Sequence, residues 1–559
     1  MKTVVKTVVQ ILSVTIALAC CRNGAWAADA PPAGTATPNS PAAAQSTQST
    51  DALLQALSTA SLADSADIVE KLAESGGRNL LPLFQAMQEG ELYYSDSAKS
   101  WLRVRDDNGT DKVTTVLDGK DFGADSSDRS KIRVNNRLRT LLGETIARIK
   151  LTQGSPAERK AAALAMLESI DDTSAALFEQ AQAKEADADV KQLMQIGIAM
   201  FTLADSSDDD VQLKAIATLS GRLDTPVRNL LASFQAGGAH AGASAAVRAA
   251  ANTALAKIQG KIDFYQFIEQ LFFGLSLGSV LLLAAIGLAV TFGVMGVINM
   301  AHGEMLMLGA YTTYVVQLLM PNSIDYSLYV AVPAAFLVSA LVGMIIQRFV
   351  IRYLNGRPLE TLLATFGISL ILQQGVRTIF SPLNRLVQSP SWMSGSLQIN
   401  PVMSLTYNRL YILVFALVVF ALLVVILKKT SLGLYVRAVS QNRAMAQAMG
   451  VRTDVVDALT FGLGSGIAGI AGVALSQLTN VGPNLGQSYI IDSFMVVVFG
   501  GVGNLIGTLV AAVSLGIINK FLEEHTGAVL ANILILVFII LFIQKKPKGL
   551  FPQKGRAAE

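Results

Sequence analysis

Hydrophobic and polar positions divide the chain into three unlike stretches. The first is short. Lys2 and Lys6 precede an apolar run from Ile11 to Cys20, and Ala25-Trp26-Ala27 sets small residues where a signal peptidase reads. That order predicts a secretory signal peptide over residues 1–27, with an uncleaved anchor as the alternative. Residues 28–50, rich in Ala, Pro, Ser, Thr and Gln, predict a flexible leader. The second stretch, 51–262, follows a helical period with one interruption. There, Trp101 to Arg105 and Val113 to Leu117 flank Asn108-Gly109, the signature of a β-hairpin. Helix starts are expected near Pro156, Thr173, Asp189, Asp209, Thr225 and Ser244. Alternate starts lie 33, 36, 36 and 35 residues apart, which suggests a solenoid of HEAT-like helix pairs over a plain bundle. Capping signals at Ser155-Pro156, Asp208-Asp209-Asp210 and Thr225-Pro226 support those starts.

The third stretch, from 263 to 552, is built of long apolar runs and predicts a polytopic helical membrane domain, followed by a tail at 553–559. Membrane elements are expected at 267–290, 303–320, 327–347, 359–380, 406–427, 456–479, 490–503, 505–522 and 527–544. The expected fold class is therefore all-α: a membrane domain preceded by a secreted, mainly helical domain with one hairpin.

Charge settles the expected sides. The net charge of +3 is too small to point to nucleic acid as a partner. Residues 28–263 hold 24 Lys and Arg against 31 Asp and Glu, whereas 264–559 hold 17 against 10. Arg348, Arg352 and Arg357, then Lys428, Lys429, Arg437, Arg443 and Arg452, then the basic tail, mark cytoplasmic loops. Tracing backward puts the N-terminal domain in the periplasm and the C-terminus in the cytoplasm, so the number of crossings must be odd. A reversal at Gly500, Gly501, Gly503 and Asn504 restores the parity, with 490–503 a half-helix or re-entrant arm.

Composition then excludes several chemistries. Hydrophobic residues make up 52% and charged residues 15%, with a mean hydropathy of +0.46, unlike a soluble enzyme or a disordered chain. Two Cys and three His leave little for a zinc site, an iron–sulfur cluster or a disulfide framework, and no metal site is expected. Asn299, His302 and Glu304 are polar groups in an apolar stretch. They line a translocation route, form a structural lock at its inner mouth, or sit in an interfacial turn; His302 and Glu304, two apart, would face different ways in one helix. Thr361, Thr365, Ser369 and Gln373 recur at spacing four, a polar stripe facing a pore or a neighbouring helix. Gly462, Gly464, Gly466, Gly469 and Gly472 signal close helix packing. The loop from Thr430 to Val451, with Gly433, Arg437, Ala438, Asn442, Ala446 and Gly450, is basic and helical in propensity; Val436, Val439 and Met445 offer it a docking surface. No catalytic residues are expected, and the chain has no Gly-x-x-x-x-Gly-Lys-Ser/Thr phosphate loop.

Residues 264–552 resemble the branched-chain amino-acid type of ABC-transporter permeases, the LivH-like group. The matching stretches are Gly274–Ser279, Gly296-Val297-Ile298-Asn299-Met300-Ala301-His302-Gly303-Glu304, Gly433 to Gly450, and Val497 to Asn504 with Gly507. The secreted helical extension makes the chain most similar to the urea-transport, UrtB-type, subgroup. The resemblance implies a permease subunit in the bacterial inner membrane, paired with a second permease. Two cytoplasmic ATPases would use ATP and Mg, and a periplasmic solute-binding protein would deliver cargo. The 433–450 loop would couple to an ATPase, and the chain itself would bind no cofactor. Urea is the expected solute and a branched-chain amino acid the alternative; a passive channel, an ion-coupled carrier and a tethered scaffold are the other classes.

Overall fold

The computed structural model describes residues 50–551, except 51, 61–63, 75–79, 96–97, 108–109, 118, 122–128, 236–237, 239, 241 and 355. The expected signal peptide, nearly all of the leader and the tail lie outside the described residues. The chain forms two compact units, divided between Ile198 and Ala199.

The first unit contains α1 (Asp64–Glu74), α2 (Leu81–Glu89), strands β1 (Leu92–Ser95), β2 (Ser100–Asp107), β3 (Thr110–Thr115) and β4 (Ser130–Lys131), then α3 (Asn136–Gln153), α4 (Pro156–Met166) and α5 (Asp172–Gln182). Helix α6 (Ala188–Asp205) holds the division. The expected hairpin is present, with Val104 opposite Val113. It is half of a four-stranded antiparallel sheet in the order β3-β2-β1-β4. Leu57, Leu72, Phe84, Met87, Leu92, Trp101, Leu138 and Leu142 pack together as the core. Ser155 and Asp208 cap helices as expected, whereas Thr225 is the first residue of its helix and Asp224 before it makes no side-chain cap; Asn135 and Asp171 are caps that sequence reasoning did not name. Asn135 accepts from the Leu138 amide at 2.7 Å, Asp171 accepts from Ser174 at 2.7 Å, and Ser155 with Glu158 forms a capping box.

Two ion pairs tie α4 to α6: Lys160 pairs with Asp189 in the first turn of α6 at 2.7 Å, and Arg159 pairs with Glu185 just before that helix. Arg159 Nε and Nη2 donate to the two oxygens of Glu185 at 2.7 and 2.9 Å, and the Asp187 amide donates to Glu185 at 2.9 Å. The Arg159 hydrogen bond, ahead of the pair's charge attraction, holds the Glu185 carboxyl below the usual glutamate range. A lowered native pKa stabilises the fold fully above the unfolded value and loses that stabilisation as pH falls through the native one. Glu185→Gln is therefore expected to cost about 1–2 kcal/mol at pH 7. As pH falls through the lowered native pKa of Glu185, the difference in hydrogen exchange of the α4–α6 amides between the two proteins should shrink; a difference that does not change with pH would exclude this assignment.

The second unit continues through α7 (Asp209–Leu219), α8 (Thr225–Ser233), α9 (Ala245–Met295), α10 (His302–Leu319), α11 (Ile324–Phe349) and α12 (Pro358–Phe380). A small hairpin, β5 (Ser396–Gln398) with β6 (Ser404–Thr406), leads to α13 (Tyr407–Lys429). Then follow α14 (Ser431–Gln441), α15 (Arg443–Ala448), α16 (Thr453–Ser476), α17 (Leu485–Gly500), α18 (Leu505–Thr526) and α19 (Ala528–Lys545). Starts at Pro156, Asp172, Ala188, Asp209, Thr225 and Ala245 fall within one residue of those expected.

Helix α9 joins what the sequence pattern separated. The helix opening near Ser244 and the membrane element at 267–290 are one helix of 51 residues, about 75 Å at ~1.5 Å per residue. The change in polarity at 262/263 lies inside it. Helices α7 and α8 pack on this helix.

Among the described residues, seven helices are long and apolar enough to cross a membrane: α9, α11, α12, α13, α16, α18 and α19. The other two expected elements form α10, whose first turn holds His302 and Glu304, and the 16-residue α17. In α16, 78% of the apolar span is buried against 17% in α13 and α19, so α16 is central and the other two are peripheral. Its glycines explain the difference. A side chain at Gly464 would meet the Gly287 carbonyl of α9, one at Gly469 the Ala335 carbonyl of α11, and one at Gly472 the Leu306 carbonyl of α10. Backbones this close are the small-residue packing of membrane helices.

Candidate functional site

The chain between α9 and α10 leaves the helix. Gly296 adopts a left-handed φ of 66°, and residues 296–301 run without regular structure until His302 opens α10. This break places three polar side chains in the protein interior: Asn299, His302 and Glu304 are all buried. As the spacing of two requires, His302 and Glu304 face different neighbours. His302 Nε2 donates to the Ala284 carbonyl of α9 at 3.0 Å, while Glu304 faces α12. Asn299 turns back on its own loop and accepts from the Ala301 amide at 3.0 Å.

The polar stripe of α12 meets this break. The Met300 amide donates to Thr365 Oγ1 at 3.2 Å. Ser369 Oγ and Gln373 Nε2 both donate to Glu304 Oε1, at 2.9 and 2.7 Å. Helical spacing sets Thr365, Ser369 and Gln373 on one face, and all three are buried. Thr361 is also buried but bonds to its own helix, donating to the Arg357 carbonyl at 2.8 Å. One turn beyond Gln373, Arg377 donates to Asn484, the residue before α17, at 2.7 Å. Sequence reasoning missed that continuation, although Arg377 keeps the same spacing of four.

The glycine-rich segment breaks the helix. Helix α17 ends at Gly500, Gly501 and Gly503 take φ of 103° and 77°, and Asn504 caps α18 by accepting from the Ile506 and Gly507 amides. A latch unforeseen from sequence closes it: the Leu550 amide donates to the Phe499 carbonyl at 2.9 Å, and Asn504 Nδ2 donates to the Phe551 carbonyl at 3.1 Å.

The 430–450 loop departs from its expected form in two respects. It is two helices, broken at Asn442, which ends α14 and caps α15 by accepting from the Met445 amide at 3.0 Å. Its apolar residues also divide. Val436 and Val439 are buried with Ala446 and Val456, whereas Leu434, Met445 and Met449 are exposed. Any docking surface therefore uses the second group and Met445, and not the two valines. Gly433 packs against the Leu427 carbonyl, to which Arg437 also donates. Ala438 lies half-buried beside that cluster, and Gly450 ends the loop with a left-handed φ of 89°. One ion pair anchors the region to α16, Arg443 to the buried Asp457; Arg352, in the short helical turn at Ile351–Leu354 after α11, pairs with Asp454 of α16 at 2.7 Å.

Interrupted apolar helices, a buried polar seam and glycine-packed crossings define a polytopic transport protein rather than an anchor. The family described as the permease component of branched-chain amino acid transport systems matches residues 270–543, and the chain belongs to it. The LivH permease protein of the high-affinity branched-chain amino acid transport system of Salmonella typhimurium is 30% identical over 300 residues, 52% of this chain and 96% of that protein. The corresponding BraD protein of Pseudomonas aeruginosa is 27% identical over 297 residues, again 52% and 96%. The ribose import permease protein RbsC of Haemophilus influenzae is 25% identical over 211 residues, 36% of this chain and 62% of that protein. No solved structure matches the chain significantly.

Proposed function

We propose that this chain is the membrane-spanning subunit of an ATP-driven importer in the bacterial inner membrane, and that its cargo is a branched-chain amino acid. Membership of the permease family supports the first statement, and the similarity to the LivH and BraD proteins of branched-chain amino acid transport supports the second over the urea reading. The observation that carries the reading is the buried Glu304–Ser369–Gln373 cluster beside a break in helix structure, a polar seam that a mere anchor does not need. A second permease, two cytoplasmic ATPases using ATP and Mg, and a periplasmic binding protein complete the assembly. The N-terminal region lies in the periplasm and the C-terminus in the cytoplasm, as the basic loops suggest. In this reading, helices α14 and α15 meet an ATPase through Leu434, Met445 and Met449, and the helix starts from 156 onward describe HEAT-like pairs.

One observation favours urea as a second reading: both amino-acid permeases match 52% of this chain, so its N-terminal region has no counterpart in that match. Reconstitution with the partner proteins separates the two. ATP-dependent accumulation of labelled leucine that excess urea leaves unchanged is expected. Accumulation of urea alone would overturn the cargo, and uptake that persists without ATP would overturn the mechanism.

A further inference from the structure

Glu304 is only half satisfied. Its residue is 1% exposed, and Oε1 takes both hydrogen bonds from α12, yet Oε2 has no partner among the described residues. Both donors are neutral, and the positive charge that acts on Glu304 is that of Arg377, which stands beyond ion-pair distance one turn past Gln373 on α12. A carboxylate offers about four acceptor positions, and leaving one oxygen unmet inside a protein is costly. The arrangement is therefore poorly explained as a helix–helix tie, which would be complete without the second oxygen. Glu304 also stands in the first turn of α10, directly after irregular backbone, where the positive end of the helix favours negative charge. Seven residues on, and so on the same face, Tyr311 has a buried hydroxyl that is likewise unpartnered, and its ring lies 4.9 Å from that of Phe380 on α12. The α10–α12 seam thus carries an open acceptor at one end and an open hydroxyl two turns away.

We propose that Glu304 Oε2 is the acceptor for an N–H group of the transported solute, with Ser369 and Gln373 as positioning residues that fix the carboxylate through Oε1. The shared chemistry is an N–H donor, which the ammonium of an amino acid and the amide of urea both supply. The inference rests on the importer reading.

The test uses the full assembly in proteoliposomes, with wild-type uptake of leucine and of urea measured first; failure to import either bears on the function reading and not on Glu304. For an ammonium cargo, Glu304→Gln is expected to raise the KM of uptake at least tenfold, because the charge is lost while the acceptor remains. For an amide cargo, Glu304→Gln should stay within threefold and Glu304→Leu should raise KM at least tenfold. A second measurement needs no variant: saturating leucine or urea should protect Glu304 of the wild-type assembly from an apolar carbodiimide, read by peptide mass spectrometry, whereas 4-methylpentanoate, which lacks the amine, should not. KM within threefold in both variants, or labelling of Glu304 that the imported solute leaves unchanged, overturns the proposal.

Discussion

Gly309→Leu is expected to abolish the folded second unit, whereas Gly367→Leu is expected to be tolerated. Both glycines sit inside long helices, and sequence alone gives no reason to treat them differently. A side chain on Gly309 would run into the backbone of Gly469 on α16, and that of Gly367 on α12 would meet nothing within 4 Å. Gly469 has no room to retreat, because its other side lies against Ala335 and Ser339 of α11. A leucine at 309 must therefore separate two backbones, undoing neighbouring packing rather than displacing one flexible side chain. We expect a cost above the ordinary overpacking range of about 1–3 kcal/mol. At Gly367 the same change replaces a poor helix former with a good one, a gain of roughly 0.5–1 kcal/mol. Size-exclusion profiles after mild detergent extraction give the comparison. A monodisperse Gly309→Leu protein at wild-type yield would refute the packing argument.

That contrast shows which part of the architecture the sequence carries. Local signals are legible: Ser155 and Asp208 cap helices where their spacing to the next apolar face placed them, because a cap is chosen by the three residues after it. The helix break at Gly500–Asn504 was legible for a different reason, since the parity of the crossings required it. The union of 245 with 295 was not read, because the polarity change at 262 looks like a boundary. Yet no proline lies between Pro226 and Pro321, so nothing compels the helix to stop. Strand β1, with only Leu92 to Ser95, is too short for alternation to announce itself. Partners across the fold were out of reach. A spacing of four reveals that Thr365, Ser369 and Gln373 share a face, but not that Glu304, 65 residues before Ser369, stands opposite. The inward turn of Val436 and Val439 has the same origin: their burial depends on Val456 and Val294, residues outside the loop.

The two members of the Arg443–Asp457 pair should respond unequally to removal. Asp457 has 0% of its side chain exposed and Arg443 has 35%, so the carboxylate depends on the guanidinium more than the reverse. Arg443→Ala leaves a charge enclosed in α16 with no cation against it, a loss of about 3–5 kcal/mol for a buried pair. Asp457→Ala lets Arg443 turn to water and should cost only about 1 kcal/mol. The double variant should then be more stable than Arg443→Ala alone, since deleting Asp457 removes the stranded charge. Thermal unfolding in detergent, followed by hydrogen exchange across 431–476, reads all three. If Arg443→Ala is no worse than Asp457→Ala, the asymmetry fails. The pair also has a functional consequence under the importer reading. Arg443 opens α15 and Asp457 lies one turn inside α16, whose glycines touch α9, α10 and α11. A displacement of α14–α15 by an ATPase thus reaches the Glu304 seam through α16. Arg443→Ala is therefore expected to lower solute imported per ATP hydrolysed at least fivefold, measured in the reconstituted assembly at a temperature where the variant remains folded. An unchanged ratio would mean that force enters the membrane helices elsewhere.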